Sequence, residues 1–251
     1  MRGQFGFLMY GYRARIGLIV PSSNTVCEPE MVRLSPEGVC SYAARILFDP
    51  TPQGLREMKG HVERAALELS SENISHIIAF CCTVGSLIGD RDYDQEIIDL
   101  IKEKTSTPAF TTATAVKAAL DVLNIKRVAI GTPYTKEINQ FEKEGLEKKG
   151  YQVTQIMGYH EPVSPGAFKN EMIGRLSPEI AYEMGLKVNG KENEAIFLSC
   201  TNFRTIEIIE RLEQETGKPV ISSNQTTLWY ALRKLGIKDS IKGFGCLLEK
   251  Y

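Results

Sequence analysis

Two cysteine-threonine pairs stand at the ends of two similar apolar runs. Residues 76–83 read HIIAFCCT, and residues 194–201 read EAIFLSCT. Each run is typical of a buried strand that ends in a thiol, which we expect at Cys82 and Cys200. A cysteine acts as nucleophile or base only as the thiolate, and a helix N-terminus behind the strand would favour that anion. One such cysteine would be an ordinary core residue, but the matched pair predicts one active site with a sulfur on each face of a substrate.

The other cysteines and the histidines predict no metal site. Side chains alternate along a strand, so Cys81 should point away from Cys82 and into the core. Without a CxxC pair or a histidine cluster, a structural zinc site is not expected. Nothing in the sequence suggests export, so we expect a cytoplasmic protein without disulfides. Three cysteines have no partner in the similar runs and are interpreted as packing residues: Cys27, Cys40 and Cys246.

Short polar side chains follow two predicted strands and suit an anionic substrate. Residues 21–25 read PSSNT, and they include Ser23 and Asn24. The corresponding position of the second half carries Tyr134. Hydroxyl and amide groups of this kind donate to carboxylates, and Thr83 and Thr201 would add two hydroxyls. The alternative is a plain turn with a helix cap, and a tyrosine that only packs.

Short apolar runs alternate with amphipathic stretches. This alternation is typical of an α/β protein with a mostly parallel sheet. The predicted strands of the first half are 15–20, 39–47, 74–80 and 108–110, and its predicted helices include 53–71 and 94–104.

The pattern then restarts at about residue 127. Residues 15–21 (RIGLIVP) match 127–133 (RVAIGTP), and 107–111 match 218–222. With the two cysteine-threonine pairs, the three offsets are 112, 118 and 111 residues. Parallel α/β proteins do reuse such patterns, but the repeated cysteine favours a duplicated unit. We therefore expect two pseudo-symmetric lobes, each a short mostly parallel sheet flanked by helices, with the site in the cleft between them.

Composition excludes several partners. The 251 residues include 30 basic and 31 acidic side chains, which gives a net charge of −1 and no general attraction to nucleic acid or to anionic lipid. No apolar run is long enough to span a membrane. No GxGxxG or Walker A motif appears, so no nucleotide cofactor is expected. Residues 1–13 are interpreted as an N-terminal extension.

Four motifs together resemble a known group. They are VPSSNT at 20–25, CTVGS at 82–86, Pro133-Tyr134, and SCT at 199–201. They look like the aspartate/glutamate racemase superfamily, and most like its maleate cis-trans isomerase branch, beside arylmalonate decarboxylase. The resemblance covers nearly the whole chain from about Arg15. It implies two pseudo-symmetric α/β lobes and a site without a cofactor. It also implies a first lobe of residues 14–118 plus 225–251, and a second lobe of 119–224.

The resemblance also implies roles. Cys82 would add to the double bond of maleate, and Cys200 would protonate the neighbouring carbon and take that proton back, which yields fumarate. Asn24 and Tyr134 match positions that bind the substrate carboxylates, helped by backbone N–H groups near Ser23, Thr83 and Thr201. The isomerases carry an asparagine in a second-lobe loop, where Ser164 is the nearest match here. The decarboxylases keep only the second-lobe cysteine, so two cysteines argue against decarboxylation.

Two departures leave other activities open. Ser164 stands where an asparagine is usual, and residues 26–30 (VCEPE) differ from the usual first turn. A racemase that uses the cysteines as acid and base is one alternative. A protein that binds a small anion without chemistry is another, and a redox pair of the two cysteines is a weaker one. The expected partner is a small dicarboxylate, and a homo-oligomer remains open.

Overall fold

The computed structural model describes residues 9–49, 52–87, 93–163 and 167–251. They form two four-stranded sheets in which every strand pairing is parallel. The first sheet has the order β2-β1-β3-β4 and the second has the order β6-β5-β7-β8. The strands are β1 Ala14–Pro21, β2 Val39–Ile46, β3 Ile77–Phe80, β4 Ala109–Thr111, β5 Arg127–Thr132, β6 Gln152–Gly158, β7 Ala195–Leu198 and β8 Val220–Ser222. The equal strand orders confirm the predicted α/β fold of two similar halves.

Helices connect the strands. They are α1 Cys27–Leu34, α2 Pro52–Glu57, α3 Lys59–Ser70, α4 Thr83–Leu87, α5 Tyr93–Thr105, α6 Thr112–Val122, α7 Lys136–Lys148, α8 Asn170–Gly174, α9 Pro178–Val188, α10 Ile209–Thr216, α11 Ser223–Lys234 and α12 Cys246–Lys250. The helix expected over 53–71 is two helices that meet at Met58, and the strand expected from residue 74 begins at Ile77. Strand β6 was not predicted, because only its Val153 is fully buried and its apolar pattern is weak.

Two short, fully buried strands carry the chemistry. All four residues of β3 and all four of β7 are buried, as expected for inner strands covered by helices on both faces. β3 lies between β1 and β4, and β7 lies between β5 and β8. Both strands therefore end at the carboxyl edge of their sheet, where ligands bind in parallel α/β folds.

Helices α6 and α11 join the two halves. They occupy equivalent places after β4 and β8, and they pack against each other. Thr112 and Thr227 hydroxyls lie 3.2 Å apart at this contact. Helix α11 also packs on α1 of the first half. Because these helices contact both halves, the division into 14–118 with 225–251 and 119–224 stays a prediction.

The structure describes only part of the N-terminal extension. Of the proposed N-terminal extension, residues 1–8 lie outside the described residues, and Tyr10 is 84% exposed. Within the described ranges, no helix has the length and apolar character required to cross a membrane.

Candidate active site

Cys82 and Cys200 line the same pocket between the two sheets. The cavity of this pocket has a volume of about 20 Å³. Both cysteines are free thiols. Ten further residues line it: Pro21, Asn24, Phe48, Val84, Tyr134, Ile138, Phe168, Asn170, Thr201 and Asn202. The fold thus brings together two thiols that are 118 residues apart in the chain.

The turn behind β3 positions the Cys82 thiol. Helix α4 begins at the next residue, Thr83, and the backbone N–H of Gly85 donates toward the Cys82 sulfur. A Cβ on Gly85 would lie 2.7 Å from Cys82 Sγ. Gly85 lies within α4, and the absence of a side chain there makes room for the sulfur.

Cys200 is held in a different way. Its φ is +112°, a conformation that costs energy for a residue with a side chain. The Asn202 N–H donates to Cys200 Sγ at 3.2 Å, and the Cys200 N–H donates to Ser223 Oγ at 3.0 Å. The helix expected directly behind Cys200 is absent, since residues 201–203 form a turn and α10 begins only at Ile209. That part of the expectation is wrong.

The two thiols are protonated in this closed pocket. Burial raises the pKa of Cys82 to about 12, and the neighbouring Cys200 raises it further against the Gly85 N–H. Burial likewise raises the pKa of Cys200 to about 12, against the Tyr134 hydroxyl and the Asn202 N–H. The expected lowering of the thiol pKa is therefore wrong for this state, because loss of water outweighs the few N–H donors.

Cys81 faces away from the pocket. Its side chain lies in the core cluster with Cys27, whereas Cys82 belongs to the other cluster. A contact with Cys81, together with burial, raises the pKa of Cys27 well above its usual value. Alternation along β3 accounts for the opposite directions of Cys81 and Cys82.

Asn24 and Thr201 meet across the two halves. Asn24 Nδ2 donates to Thr201 Oγ1 at 3.0 Å, and Asn24 Oδ1 accepts from the N–H groups of Val26 and Cys27 at 2.9 Å each. Thr201 Oγ1 donates in turn to Cys81 O at 3.0 Å. Both side chains line the pocket, but in this state their polar atoms are used within the protein.

The other predicted binding residues lie at different distances from the pocket. Ser23 does not line it, and its Oγ accepts from Asn170 Nδ2 at 2.8 Å. Thr83 Oγ1 lies 2.8 Å from Ser223 Oγ, the acceptor of the Cys200 N–H, so it supports the thiols from behind. Ser164 lies outside the described residues.

Tyr134 extends from the loop after β5 to the Cys200 sulfur. Its N–H donates to Thr132 Oγ1 at 3.1 Å, which fixes the backbone. Burial raises its pKa well above the usual value, and the charges of Cys200 and Glu142 act in the same direction. The phenol therefore keeps its proton and remains a hydrogen-bond donor.

Several site residues carried no signal in the sequence. Asn202 accepts from the Thr25 N–H at 2.9 Å and donates to Asn170 O at 3.0 Å, so it links both halves at the pocket. The Glu30 carboxylate accepts from Thr205 N at 2.8 Å and from Asn224 Nδ2 at 2.7 Å. Most of these partners are far apart in sequence, and only the fold brings them together.

In the part of the chain that the structure describes, no arginine or lysine lines the pocket. Arg45 donates to the backbone oxygens of Ser22 and Asn24 at 2.9 and 2.8 Å and pairs with Glu28. It holds the polar loop in place from outside. Within the described ranges, no three His, Cys, Asp or Glu side chains are grouped so that they would hold a metal ion.

Comparisons with known proteins identify a family and several similar proteins. Residues 16–248 match the arylmalonate decarboxylase family. A maleate isomerase of Alcaligenes faecalis is 27% identical over 250 residues, which cover 94% of this chain and 96% of that protein. The crystal structure of the maleate isomerase Iso from Pseudomonas putida S16 superposes with a TM-score of 0.84 at 26% identity, over 94% of this chain and 98% of that one. A Nocardia farcinica maleate cis-trans isomerase variant with a covalently bound succinylcysteine intermediate has the same fold, with a TM-score of 0.86 at 23% identity over 95% and 99% of the two chains.

Proposed function

The chain belongs to the arylmalonate decarboxylase family, and from that premise we propose that it is a cis-trans isomerase that converts maleate, or a close unsaturated dicarboxylate, to fumarate without a cofactor. One observation carries the proposal: Cys82 and Cys200 line one closed pocket between two equivalent sheets. The full-length relatives described as maleate isomerases support the choice of activity within a family that also includes decarboxylases.

Cysteine is suited to this chemistry. Conjugate addition to an electron-poor double bond requires a soft nucleophile, and a thiolate is one. In the Nocardia farcinica protein the intermediate is a succinylcysteine. We assign the same kind of thioether to Cys82 here, since its thiol lies at the pocket end of β3 with space provided by Gly85.

The first half of the reaction forms one C–S bond. The Cys82 thiolate attacks one alkene carbon, and the π electron pair moves to the other carbon and toward its carboxylate. The Cys200 thiol then gives its proton to that second carbon and becomes the thiolate. The product of this half is a succinyl thioether on Cys82, and the negative charge has moved from Cys82 to Cys200.

The second half reverses these steps from a rotated geometry. The former double bond is single, so the two carboxylate-bearing carbons rotate about it. The Cys200 thiolate removes a proton from the carbon adjacent to the thioether carbon. The electron pair re-forms the double bond, the C–S bond breaks, and Cys82 leaves as thiolate with fumarate as product.

Donors around the pocket would hold the carboxylates. Tyr134, Asn170 and Asn202 line it, and none of them changes charge at neutral pH. Preorganised neutral donors stabilise the charge that builds on the carboxylate during addition. Asn170 is the first residue of α8, six residues after Ser164, and we assign it the role of the asparagine that the family resemblance predicts. Asn24 and Thr201 line the pocket and are hydrogen-bonded to each other. Ser23 contacts Asn170, and Thr83 contacts Ser223.

Apolar walls complete the pocket. Phe48, Phe168 and Ile138 line it beside the thiols. They exclude water, which strengthens each remaining electrostatic contact. A dry pocket also protects the carbanion-like intermediate from protonation by solvent on the wrong carbon. We further propose that the protein works in the reducing cytoplasm, where its six cysteines stay free.

Proton NMR tests the proposal. The reduced protein is incubated with maleate, and we expect the alkene signal of maleate to be replaced by that of fumarate. Cys82→Ala and Cys200→Ala should each abolish the conversion, while the matched control Cys40→Ala, at a half-buried cysteine away from the pocket, should not. Absence of fumarate with the folded wild-type protein would overturn the maleate proposal, and exchange of an amino-acid α-proton with deuterated solvent would indicate a racemase instead.

A further inference from the structure

Glu142 is a buried carboxyl group that the proposed reaction does not use. It lies on α7, its side chain has no exposed surface, and among the described residues its carboxyl group has no hydrogen-bond partner beyond a contact with the Ser199 hydroxyl. An isolated carboxylate in such surroundings is costly, whereas the protonated acid is tolerated. Burial accordingly raises the pKa of Glu142 to about 7.

The position of Glu142 connects it to both thiols. Ile138, one helical turn earlier on α7, lines the pocket. Helix α7 packs against α4, which begins directly after Cys82. The Ser199 hydroxyl, one residue before Cys200, is also buried and contacts the Glu142 carboxyl group, which opposes part of the effect of burial on its pKa. The carboxyl group therefore lies behind the pocket, between the ends of β3 and β7.

The ionisable groups that interact with Glu142 are those of the candidate active site. Its charge acts on Cys82, Cys200 and Tyr134. Among the described elements, helix α4 and strand β6 make the main contacts with α7, and neither contains an ionisable side chain. Further out are four groups: Glu161, bound to Asn139 on α7, Glu30, which acts on Cys200, and the Lys149–Asp94 ion pair beyond the end of α7.

Two negative charges in this space repel each other strongly. Two acids that share a buried site lose their protons in two separate steps, and the second loss is made difficult by the first. Among the described residues, none that lines the pocket is a cation that would offset a second charge. The site accommodates one negative charge readily, either on the Glu142 carboxylate or on a thiol.

We infer that Glu142 is the positioning residue that controls the charge of the thiol pair: it is protonated whenever Cys82 or Cys200 is ionised. The reactive form is then one thiolate with a neutral Glu142, reached by moving a proton from a thiol to the carboxylate. Atoms and charge balance in this step, since the thiol loses the proton that the carboxylate gains. The inference deepens the proposed isomerase function and rests on it for the roles of the two cysteines.

This arrangement has a specific pH signature. Below about pH 7 the thiolate fraction rises about tenfold per pH unit, whether or not Glu142 is present. Above about pH 7 Glu142 is ionised, and a thiolate forms only when the thiol transfers its proton to the Glu142 carboxylate. This transfer takes no proton from solvent and releases none, so the thiolate fraction no longer changes with pH. With Glu142→Gln the fraction continues to rise toward the pKa of the thiol.

Alkylation by iodoacetamide measures this without any substrate. The rate of Cys82 modification is followed from about pH 5 to pH 10 by peptide mass spectrometry in the wild type and in Glu142→Gln. We expect the wild-type rate to flatten near pH 7 and the variant rate to keep rising, so that the ratio of variant to wild type grows about tenfold per pH unit above 7. The control Glu144→Gln, an exposed carboxyl on the same helix bound to Gln140, should follow the wild type.

Parallel profiles for the wild type and Glu142→Gln would overturn the inference, because a purely structural role leaves the pH dependence unchanged. If the variant does not fold, a wild-type rate that rises without a break through pH 7 overturns it as well. If the alkylation rate flattens near pH 7 but the protein does not isomerise maleate, the charge coupling is supported and the proposed function is wrong. The two failures are therefore distinguishable.

Discussion

Asn24 Nδ2 donates a 3.0 Å hydrogen bond to Thr201 Oγ1, and this bond joins the loop after β1 to the residue that follows Cys200. The same Asn24 side chain accepts from two N–H groups at the start of α1. One buried amide thus fixes the first-half loop and links it to the second half at the pocket. The relative position of the two cysteines depends on such contacts, and not on any direct bond between them.

Asn24→Ala should destabilise the fold. It removes the acceptor of the Val26 and Cys27 N–H groups and the donor to Thr201, and all of them are buried. We expect a loss of about 2–3 kcal/mol in the free energy of unfolding, measured by urea denaturation. Ser22→Ala, at an exposed side chain of the same loop, should change it by less than about 0.5 kcal/mol. Equal effects of the two substitutions would contradict the role of Asn24.

Gly85→Ala should impair the reaction more than the fold. The new Cβ would lie 2.7 Å from Cys82 Sγ, so the sulfur has to move. Displacement of a reacting atom by about 1 Å costs on the order of 100-fold in rate, and we expect a fall of this order in kcat/KM with maleate. Gly60→Ala is the matched control, because a Cβ there meets nothing within 4 Å. A Gly85→Ala enzyme with full activity would show that Cys82 Sγ need not occupy its observed position.

Substitutions at Cys200 test whether its backbone is strained. At φ +112° glycine is accommodated and alanine is not. We expect Cys200→Gly to be more stable than Cys200→Ala by about 1 kcal/mol. At Cys82, whose φ is not positive, the order should reverse, with alanine the more stable replacement. Urea denaturation of the four variants measures this, and the same order at both positions would argue against strain at Cys200.

The stability of the protein should fall as the pH rises from about 5 to 8. Burial raises the pKa of both Glu30 and Glu142 from 4.5 to about 7. The folded state therefore binds more protons than the unfolded state in this window, and its advantage, complete below about pH 4.5, is lost as the pH passes 7. Each carboxyl contributes up to roughly 3 kcal/mol to this change.

The variant Glu142→Gln distinguishes the contribution of Glu142 to the pH dependence of stability from that of Glu30. The variant should lose about half of the pH dependence between pH 5 and 8, and it should be more stable than the wild type at pH 8. Urea midpoints at several pH values provide the comparison. An undiminished slope in the variant would show that Glu142 does not titrate with a raised pKa.

The strands and the thiol pair were predictable because they depend on local patterns. The apolar runs before Cys82 and Cys200 predict buried strands, and the repeat predicts two equivalent halves. The alternation of side chains along β3 also separated Cys81 from Cys82 correctly. These features need only neighbouring residues, so a single sequence contains them.

The surroundings of the thiols were not predictable in the same way. Glu142 resembles any other glutamate of an amphipathic helix, and only tertiary packing removes it from water. Ser223 and Asn202 reach the Cys200 backbone and sulfur through the arrangement of the second half. The expected low thiol pKa and the helix behind Cys200 were wrong for the same reason, because burial and a positive φ are set by the whole fold.

The central claim is that Cys82 forms a covalent bond to the substrate while Cys200 handles the proton. The most direct test is mass spectrometry of Cys200→Ser incubated with maleate, followed by peptide mapping. The account predicts a single adduct with the mass of maleic acid on the peptide that contains Cys82, and none in Cys82→Ser. An unmodified Cys82 in the folded Cys200→Ser protein, or an adduct on another cysteine, would contradict it.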